Sequence, residues 1–436
     1  MAFEDQRPLS PLQPSAAQGW AIAIVATLVM AVSYVDRQTF AALSPTVCDA
    51  LHIDHTQYGW LTSAFSLTYL VGAPLSGWII DRSGARMGLV ASVLVWSAIS
   101  AMHAFAPSFA LLFGLRIALG AAESPSFPGA AQAVQRCLPP KHRSAGFGLL
   151  FTGSSIGAMI AAPLAIAFNR TWGWRFAFLG TALVGLSWVP AWLAITHGGA
   201  ARALLAAKPQ PPHTRVNERA GYREAARVYG PSSPGPQSLL GLLALPVVQR
   251  AVILVVATAP AINFVFNWLP KYLVAERGLT QNGLAAYLWL PPLFFDAGAI
   301  AFGVIASVAG GVRRPFIALA GLLCASIALM PFAPGPVAAV GIASLTLLGG
   351  GAAFALLTSD MLSRVDARHV SSAGGLTAAA QSLAYVVANL LLGVVLDRTH
   401  SYEGVIVALG VTVVPGTAAW ILWPGASRVG TERTVE

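Results

Sequence analysis

Apolar residues along this chain neither alternate nor recur as a one-sided stripe. They run for 18 to 27 residues at a time between short breaks rich in Gly, Pro and Arg. A helix rises about 1.5 Å per residue, so about 20 apolar residues cross the ~30 Å hydrocarbon core of a bilayer. Twelve such runs are present, at 19–40, 56–80, 86–106, 109–135, 143–168, 173–197, 248–272, 283–306, 315–332, 336–362, 371–396 and 403–424. The pattern predicts an all-α membrane protein of twelve transmembrane helices in two pseudo-symmetric six-helix bundles, 19–197 and 248–424. A tail at 1–18, a polar linker at 198–247 and a tail at 425–436 complete the expected organisation.

Composition strengthens this reading. Hydrophobic residues make up 56% of the chain, charged residues 10%, and the mean hydropathy is +0.68. A compact soluble domain carries about 25% charged residues and is excluded. The net charge of +9 invites a nucleic-acid reading, but the positions of the charges remove the need for one. With both termini in the cytoplasm, 19 of the 26 Lys and Arg fall on the cytoplasmic side, among them the seven from Arg202 to Arg250. That bias is the positive-inside rule, and it predicts a multi-pass protein of the inner (plasma) membrane with cytoplasmic N and C termini. The first eighteen residues lack the layout of a cleavable signal, so the first run is expected to stay as a helix. Basic residues at 215, 219, 223 and 227 recur every four positions, which suits either a cationic helix on anionic headgroups or a flexible linker. Cys48, Cys137 and Cys324 are too scattered for a disulfide or metal framework.

The charges inside the apolar runs carry the chemistry. Asp36 and Arg37 lie in the first run, Arg116 and Glu123 in the fourth. Unpaired at membrane depth, four charges would oppose insertion by roughly 10 kcal/mol, a cost tolerated where the groups face a watery cavity, pair with one another, or carry protons. Arg116 and Glu123 are seven residues apart and share a helix face, about 10 Å apart along the axis. Asp296 in the eighth run is a further ionisable group at depth. The second half otherwise offers neutral donors and acceptors: Asn263, Asn267, Thr358, Ser359, Gln381 and Ser382. These suit sugar hydroxyls or interhelical hydrogen bonds. No phosphate-cradling glycine loop with lysine, no nucleophile with a base and no metal-spaced histidine pair can be read, so neither an enzyme nor a cofactor or metal is expected.

Between the second and third runs stands Gly77-Trp-Ile-Ile-Asp81-Arg82-Ser-Gly84-Ala-Arg86. It resembles the G-x-x-x-D-R-x-G-x-R signature of the major facilitator superfamily. Gly77 would permit close helix approach and Gly84 a tight turn, while Arg82 and Arg86 would hold the loop at the cytoplasmic surface. The resemblance implies that Asp81 acts as a gating latch. In the second half the corresponding loop, Gly303 to Arg314, has Ser307 in place of the acid.

Within that superfamily the chain resembles the anion:cation symporters of bacterial sugar acids over nearly its whole length. The likeness rests on Ser33-Tyr34-Val35-Asp36-Arg37-Gln38, on Arg116 to Pro128, and on Asn267-Trp268-Leu-Pro270-Lys-Tyr272 with Gly278. Gly153-Ser-Ser-Ile-Gly157 and Leu293-Phe-Phe-Asp296-Ala-Gly298 point to the hexuronate branch. The resemblance implies proton-coupled uptake of a sugar acid anion, a hexuronate such as glucuronate or galacturonate or an aldonate, by alternating access. It assigns Arg37 to the substrate carboxylate, Tyr34 and Tyr69 to substrate contact, and Asp36 and Glu123 to proton coupling. Arg116 is expected to support them, and Asp296 is held as a further proton or substrate group. A guanidinium fork matches a carboxylate bidentately, in keeping with the first assignment. The other readings are a symporter of another organic anion, a proton-coupled exporter of drug-like compounds, or a receptor that binds sugar acids without moving them. Export is disfavoured because Gly157-Ala158 stands where such exporters carry a G-P-x-x-G element. The expected partners are the lipid bilayer and a small organic anion, with no nucleic acid, and the expected state is monomeric.

Overall fold

The computed structural model describes residues 14–206, 239–309, 312–365 and 370–423, and every regular element among them is helical. In chain order these are α1 (Ala16–Ala50), α2 (His55–Ser83), α3 (Ala85–Met102), α4 (Phe109–Glu123), α5 (Ser126–Cys137), α6 (Pro140–Leu186), α7 (Trp188–Ile195) and α8 (Gly199–Ala206). They continue as α9 (Leu239–Leu243), α10 (Pro246–Asn263), α11 (Leu269–Ala275), α12 (Leu290–Val308), α13 (Arg314–Ala325), α14 (Pro336–Leu362), α15 (Val370–Thr399) and α16 (Glu403–Leu422). A π-helical turn, Phe264–Trp268, joins α10 to α11. The cationic repeat 215–227 and the tail 425–436 lie outside the described residues, as does most of the tail 1–18.

Among the described residues nine helices are long and apolar enough to cross a bilayer, ten when the pair His55–Ala73 and Leu75–Ser83, bent by 51°, counts as one span. Two local features separate this from the twelve runs of the sequence. The runs 143–168 and 173–197 fall in one helical stretch, Ala145–Ile195, which turns at Gly173 with φ +84°, a backbone state that glycine adopts without a Cβ clash. The run 109–135 breaks into α4 and α5, each shorter than a span. Pro125 has no N–H to give the Ala121 carbonyl, which accepts instead from the N–H and hydroxyl of Ser124.

The described chain groups into two units, Met1–Leu43 with Thr68–Pro209, and Ser44–Leu67 with Gln210–Glu436. In the first, α1 lies backbone to backbone on α6. A Cβ added at Gly157 would overlap the Ala31 carbonyl, so this approach requires glycine, and it sets the register of the residues one turn further along α1. The indole N–H groups of Trp188 and Trp192 donate to the carbonyls of Val25 and Arg86 at 2.7 and 3.0 Å, tying α7 to α1 and α3.

In the second unit α12 and α14 meet through small residues, Gly298 against Leu348 and Gly351 against Phe295. The segment 44–67 joins this unit through named bonds. Asp397 accepts from the N–H groups of His55 and Thr56 at the start of α2, at 3.0 and 2.7 Å, where a carboxylate also complements the helix dipole. The Ser63 hydroxyl donates to the Val386 carbonyl, and Thr46 donates to Gln281. Arg277 donates to the carbonyls of Met330, Pro331 and Ala333, satisfying the end of the 3-10 turn Ser326–Phe332. The three cysteines are free and buried.

Candidate functional site

The first unit gathers the charged residues of α1 and α4 around one buried carboxylate. Ser33 and Arg37 stand one turn apart on α1, and both donate to Oε2 of Glu123, the last residue of α4: the Ser33 hydroxyl at 2.8 Å and Arg37 Nε at 2.7 Å. The Glu123 side chain is wholly buried, whereas the Arg37 side chain keeps 15% of its surface exposed. Tyr34 and Tyr69 wall the guanidinium, with ring centroids 4.8 and 4.3 Å from its carbon. The exposed edge of a cation thus sits in an aromatic notch, a setting that suits an anion with an apolar ring face.

Asp36 follows the next face of α1 and points toward α3, where its Oδ1 accepts from the Ser100 hydroxyl at 2.8 Å. Among the described residues neither Asp36 Oδ2 nor Glu123 Oε1 has a hydrogen-bond partner, although both are buried. A buried carboxylate oxygen left without a donor is costly, and protonation is one way to remove that cost. Arg116, two turns before Glu123 and buried, lies over the Phe40 ring at 3.8 Å. Two carboxyls and two guanidiniums therefore balance in formal charge within a single unit.

The signature turn between α2 and α3 also belongs to this unit. Gly84 takes φ +77°, Arg82 stacks on Trp78 at 3.6 Å, and Arg86 Nε donates to the Thr196 hydroxyl at 3.2 Å. Gln132 of α5 clamps the turn: its amide donates to Asp81 Oδ1 at 2.9 Å and its carbonyl accepts from the Ala85 N–H at 3.0 Å. At Gly77 no described atom comes within 4 Å of an added Cβ.

In the second unit, Asn263 and Asn267 are engaged with neighbours. Asn267 donates to Asn263 at 2.8 Å, Asn263 to Asn389 at 2.7 Å, and the Trp268 indole to the same Asn389 oxygen at 2.8 Å. This neutral network flanks the π-helical turn, a feature frequent at functional sites. Gln381 donates to the Tyr385 hydroxyl at 3.0 Å. Ser382 and Asp296 are half-buried, and the buried Thr358 hydroxyl has no hydrogen-bond partner among the described residues. Ser359, by contrast, accepts from Arg313 at 3.3 Å.

That bond leads to a cluster the sequence reading missed. Arg250, counted with the cytoplasmic loops, is buried and paired with Asp360, which is 2% exposed. Arg313 and Arg364 reach the other oxygen of Asp360 at 2.8 and 3.1 Å. The available signal was a lone acid near the end of an apolar run, the same kind of signal that marked Asp36. Ser33, Ser100 and Gln132 were missed as well; small polar side chains in apolar helices do not announce which carboxylate they serve.

Residues 26–389 match the family model described as Major Facilitator Superfamily. The chain is 27% identical over 425 residues to the hexuronate transporter of Escherichia coli (strain K12), covering 93% of each protein. It is 26% identical over 396 residues to the hexuronate transporter of Bacillus subtilis (strain 168), covering 87% of this chain and 88% of that one. Among solved structures, a bacterial homolog of the human lysosomal transporter Spinster, inward-facing and unoccupied, matches with a TM-score of 0.74 over 94% of this chain and 97% of that chain, at 16% identity. That last likeness concerns the fold alone.

Proposed function

We propose, from the premise that this chain belongs to the major facilitator superfamily and is a multi-pass inner-membrane transporter rather than an enzyme, that it takes up a sugar acid anion, such as a hexuronate, together with protons. The reading includes twelve spans in two six-helix halves with both termini in the cytoplasm, and alternating access as the mode of transport. The names of the relatives support the class of cargo. One observation carries the coupling: Arg37, the partly exposed cation in the aromatic notch, is already held by the buried Glu123.

An arriving substrate carboxylate and Glu123 compete for one guanidinium. When the substrate takes the fork, Glu123 loses the cation that stabilises its charged form and gains proton affinity. When the substrate leaves, Arg37 returns to Glu123 and the proton is released. Asp36, with one oxygen on Ser100 and one without a hydrogen-bond partner among the described residues, is the second carrier. Two protons with a monovalent anion move one positive charge inward, which gains about 2.3 kcal/mol per 100 mV of membrane potential. Arg116 on Phe40 supplies a fixed positive field beside the carriers. Thr358, Gln381 and Ser382 are proposed as partners of the substrate hydroxyls, and Asp81 with Arg82, Gly84 and Arg86 as the gate.

The test is ligand-induced thermal stabilisation of the purified protein by glucuronate and galacturonate, measured alongside Arg37→Ala. Stabilisation of the parent and its loss in the variant are expected. Equal stabilisation of both proteins would remove Arg37 from the substrate site.

A further inference from the structure

The Asp360 cluster does not belong to the transport chemistry described above, and among the described residues its charge does not balance. Asp360 accepts from Arg250, from Arg313 Nη1 and from Arg364 Nε, and Arg314 lines the same cavity of about 340 Å³. Among the described residues, four guanidiniums against one carboxylate leave a formal excess of three positive charges. A carboxylate offers about four lone-pair directions and each guanidinium five N–H donors, so one acid cannot absorb what this cluster donates.

Two donors confirm the surplus. The Arg250 side chain is 5% exposed, yet its Nε has no hydrogen-bond partner among the described residues. Trp420, 3% exposed, lines the cavity and has its indole N–H likewise unpartnered. The Arg250 guanidinium lies 4.6 Å from the Trp420 ring centroid, so the two orphan donors flank one spot. Buried donors left unmet cost about 1–3 kcal/mol each. Such a lining suits a group that is rich in acceptors, poor in donors and negatively charged.

Placement narrows the chemistry. Arg250 sits in the second turn of α10, Arg313 immediately before α13, Asp360 in the last turn of α14 and Trp420 near the end of α16. All four mark helix ends, the depth at which the phosphates of a bilayer lie. Basic pockets between helices at this level accept lipid headgroups.

We propose that this cavity is an anion site for a phosphate group, that of an anionic lipid headgroup or free phosphate, held by Arg250, Arg313, Arg314 and Arg364 with the Trp420 indole as a neutral donor. The site lies wholly within the second unit and is independent of the sugar acid reading.

The experiment uses the delipidated full-length protein in detergent and three probes: phosphatidylglycerol, phosphatidylcholine and inorganic phosphate. Binding is followed by native mass spectrometry for the lipids and by thermal stabilisation for phosphate. Phosphatidylglycerol is expected to bind ahead of phosphatidylcholine, with affinity falling about tenfold or more in Arg313→Gln, as expected on losing one charge-assisted bond. Saturable binding of phosphate that displaces phosphatidylglycerol points to free phosphate as a physiological source; lipid binding that phosphate does not displace points to the headgroup. Trp420→Phe keeps the ring and removes only the N–H, so it serves if Arg313→Gln fails to fold, and it should weaken binding by a smaller factor. Binding of all three probes that is unchanged in both variants would overturn the proposal, as would no preference for phosphatidylglycerol together with no response to phosphate.

Discussion

Around Glu123 two carboxyls and two guanidiniums share one unit, whereas around Asp360 a single carboxylate among the described residues is ringed by arginines. Both clusters place an acid with almost no exposure against arginine, and in both the acid comes from the last turn of a helix. They differ in charge balance. The Glu123 cluster is neutral in formal charge and, among the described residues, keeps carboxylate oxygens without donors, the feature on which its proposed proton uptake rests. The Asp360 cluster is cationic among the described residues and keeps the Arg250 Nε and Trp420 indole donors without acceptors there, the features on which the proposed anion site rests. The balance of formal charge, more than the presence of an ion pair, is what separates the proposed proton site from the proposed anion site.

That contrast can be broken by substitution, and the largest effect is expected at Asp360. Asp360→Ala leaves the buried Arg250 without its carboxylate and should destabilise the protein by about 3–5 kcal/mol, read as a fall in the thermal midpoint, while Asp360→Asn should cost less. A midpoint unchanged in Asp360→Ala would mean that the arginines find other partners. Next comes Arg37→Ala, which should weaken hexuronate binding by about 10- to 100-fold, the worth of charge-assisted bonds. Arg37→Lys should not restore it, because an ammonium lacks the planar fork. Titration calorimetry on the three proteins decides this.

A smaller effect is expected at the packing that sets the register of α1. Gly157→Ala should cost about 1–3 kcal/mol, because its methyl meets the Ala31 carbonyl and one of the two backbones must move. The smallest effect is expected from Ser100→Ala, which removes one neutral donor from Asp36 and should change stability by about 1 kcal/mol. Its pH profile of uptake should shift while its affinity for substrate stays unchanged; the reverse pattern would place Ser100 at the substrate instead.

Much of this was legible in the chain. Apolar run length located every long helix, and the cost of charge in hydrocarbon picked out Asp36, Arg37, Arg116 and Glu123 before any contact was known. What could not be read was which acid meets which base. Glu123 is seven residues from Arg116 on its own helix, yet its partner is Arg37, 86 residues away on another. Helical periodicity reports shared faces within a helix and is silent across helices. Asp360 and Arg250 escaped for a related reason. Each stands near the end of an apolar run, where charge reads as loop, and only their packing, 110 residues apart, buries them. The breaks at Gly173 and Ser124–Pro125 were within reach of local rules, but an apolar run hides them, because hydropathy carries no information on backbone direction.

The central claim is that Glu123 exchanges Arg37 for a proton when substrate binds. Proton movement driven by an imposed glucuronate gradient in proteoliposomes, with Glu123→Gln measured beside the parent, tests it most directly. The parent should alkalinise the side from which substrate leaves; Glu123→Gln, which keeps an oxygen for Arg37 but cannot ionise, should lose most of that proton flux while still exchanging labelled substrate. Undiminished proton flux in Glu123→Gln, or substrate flux in the parent with no proton movement, would contradict the account.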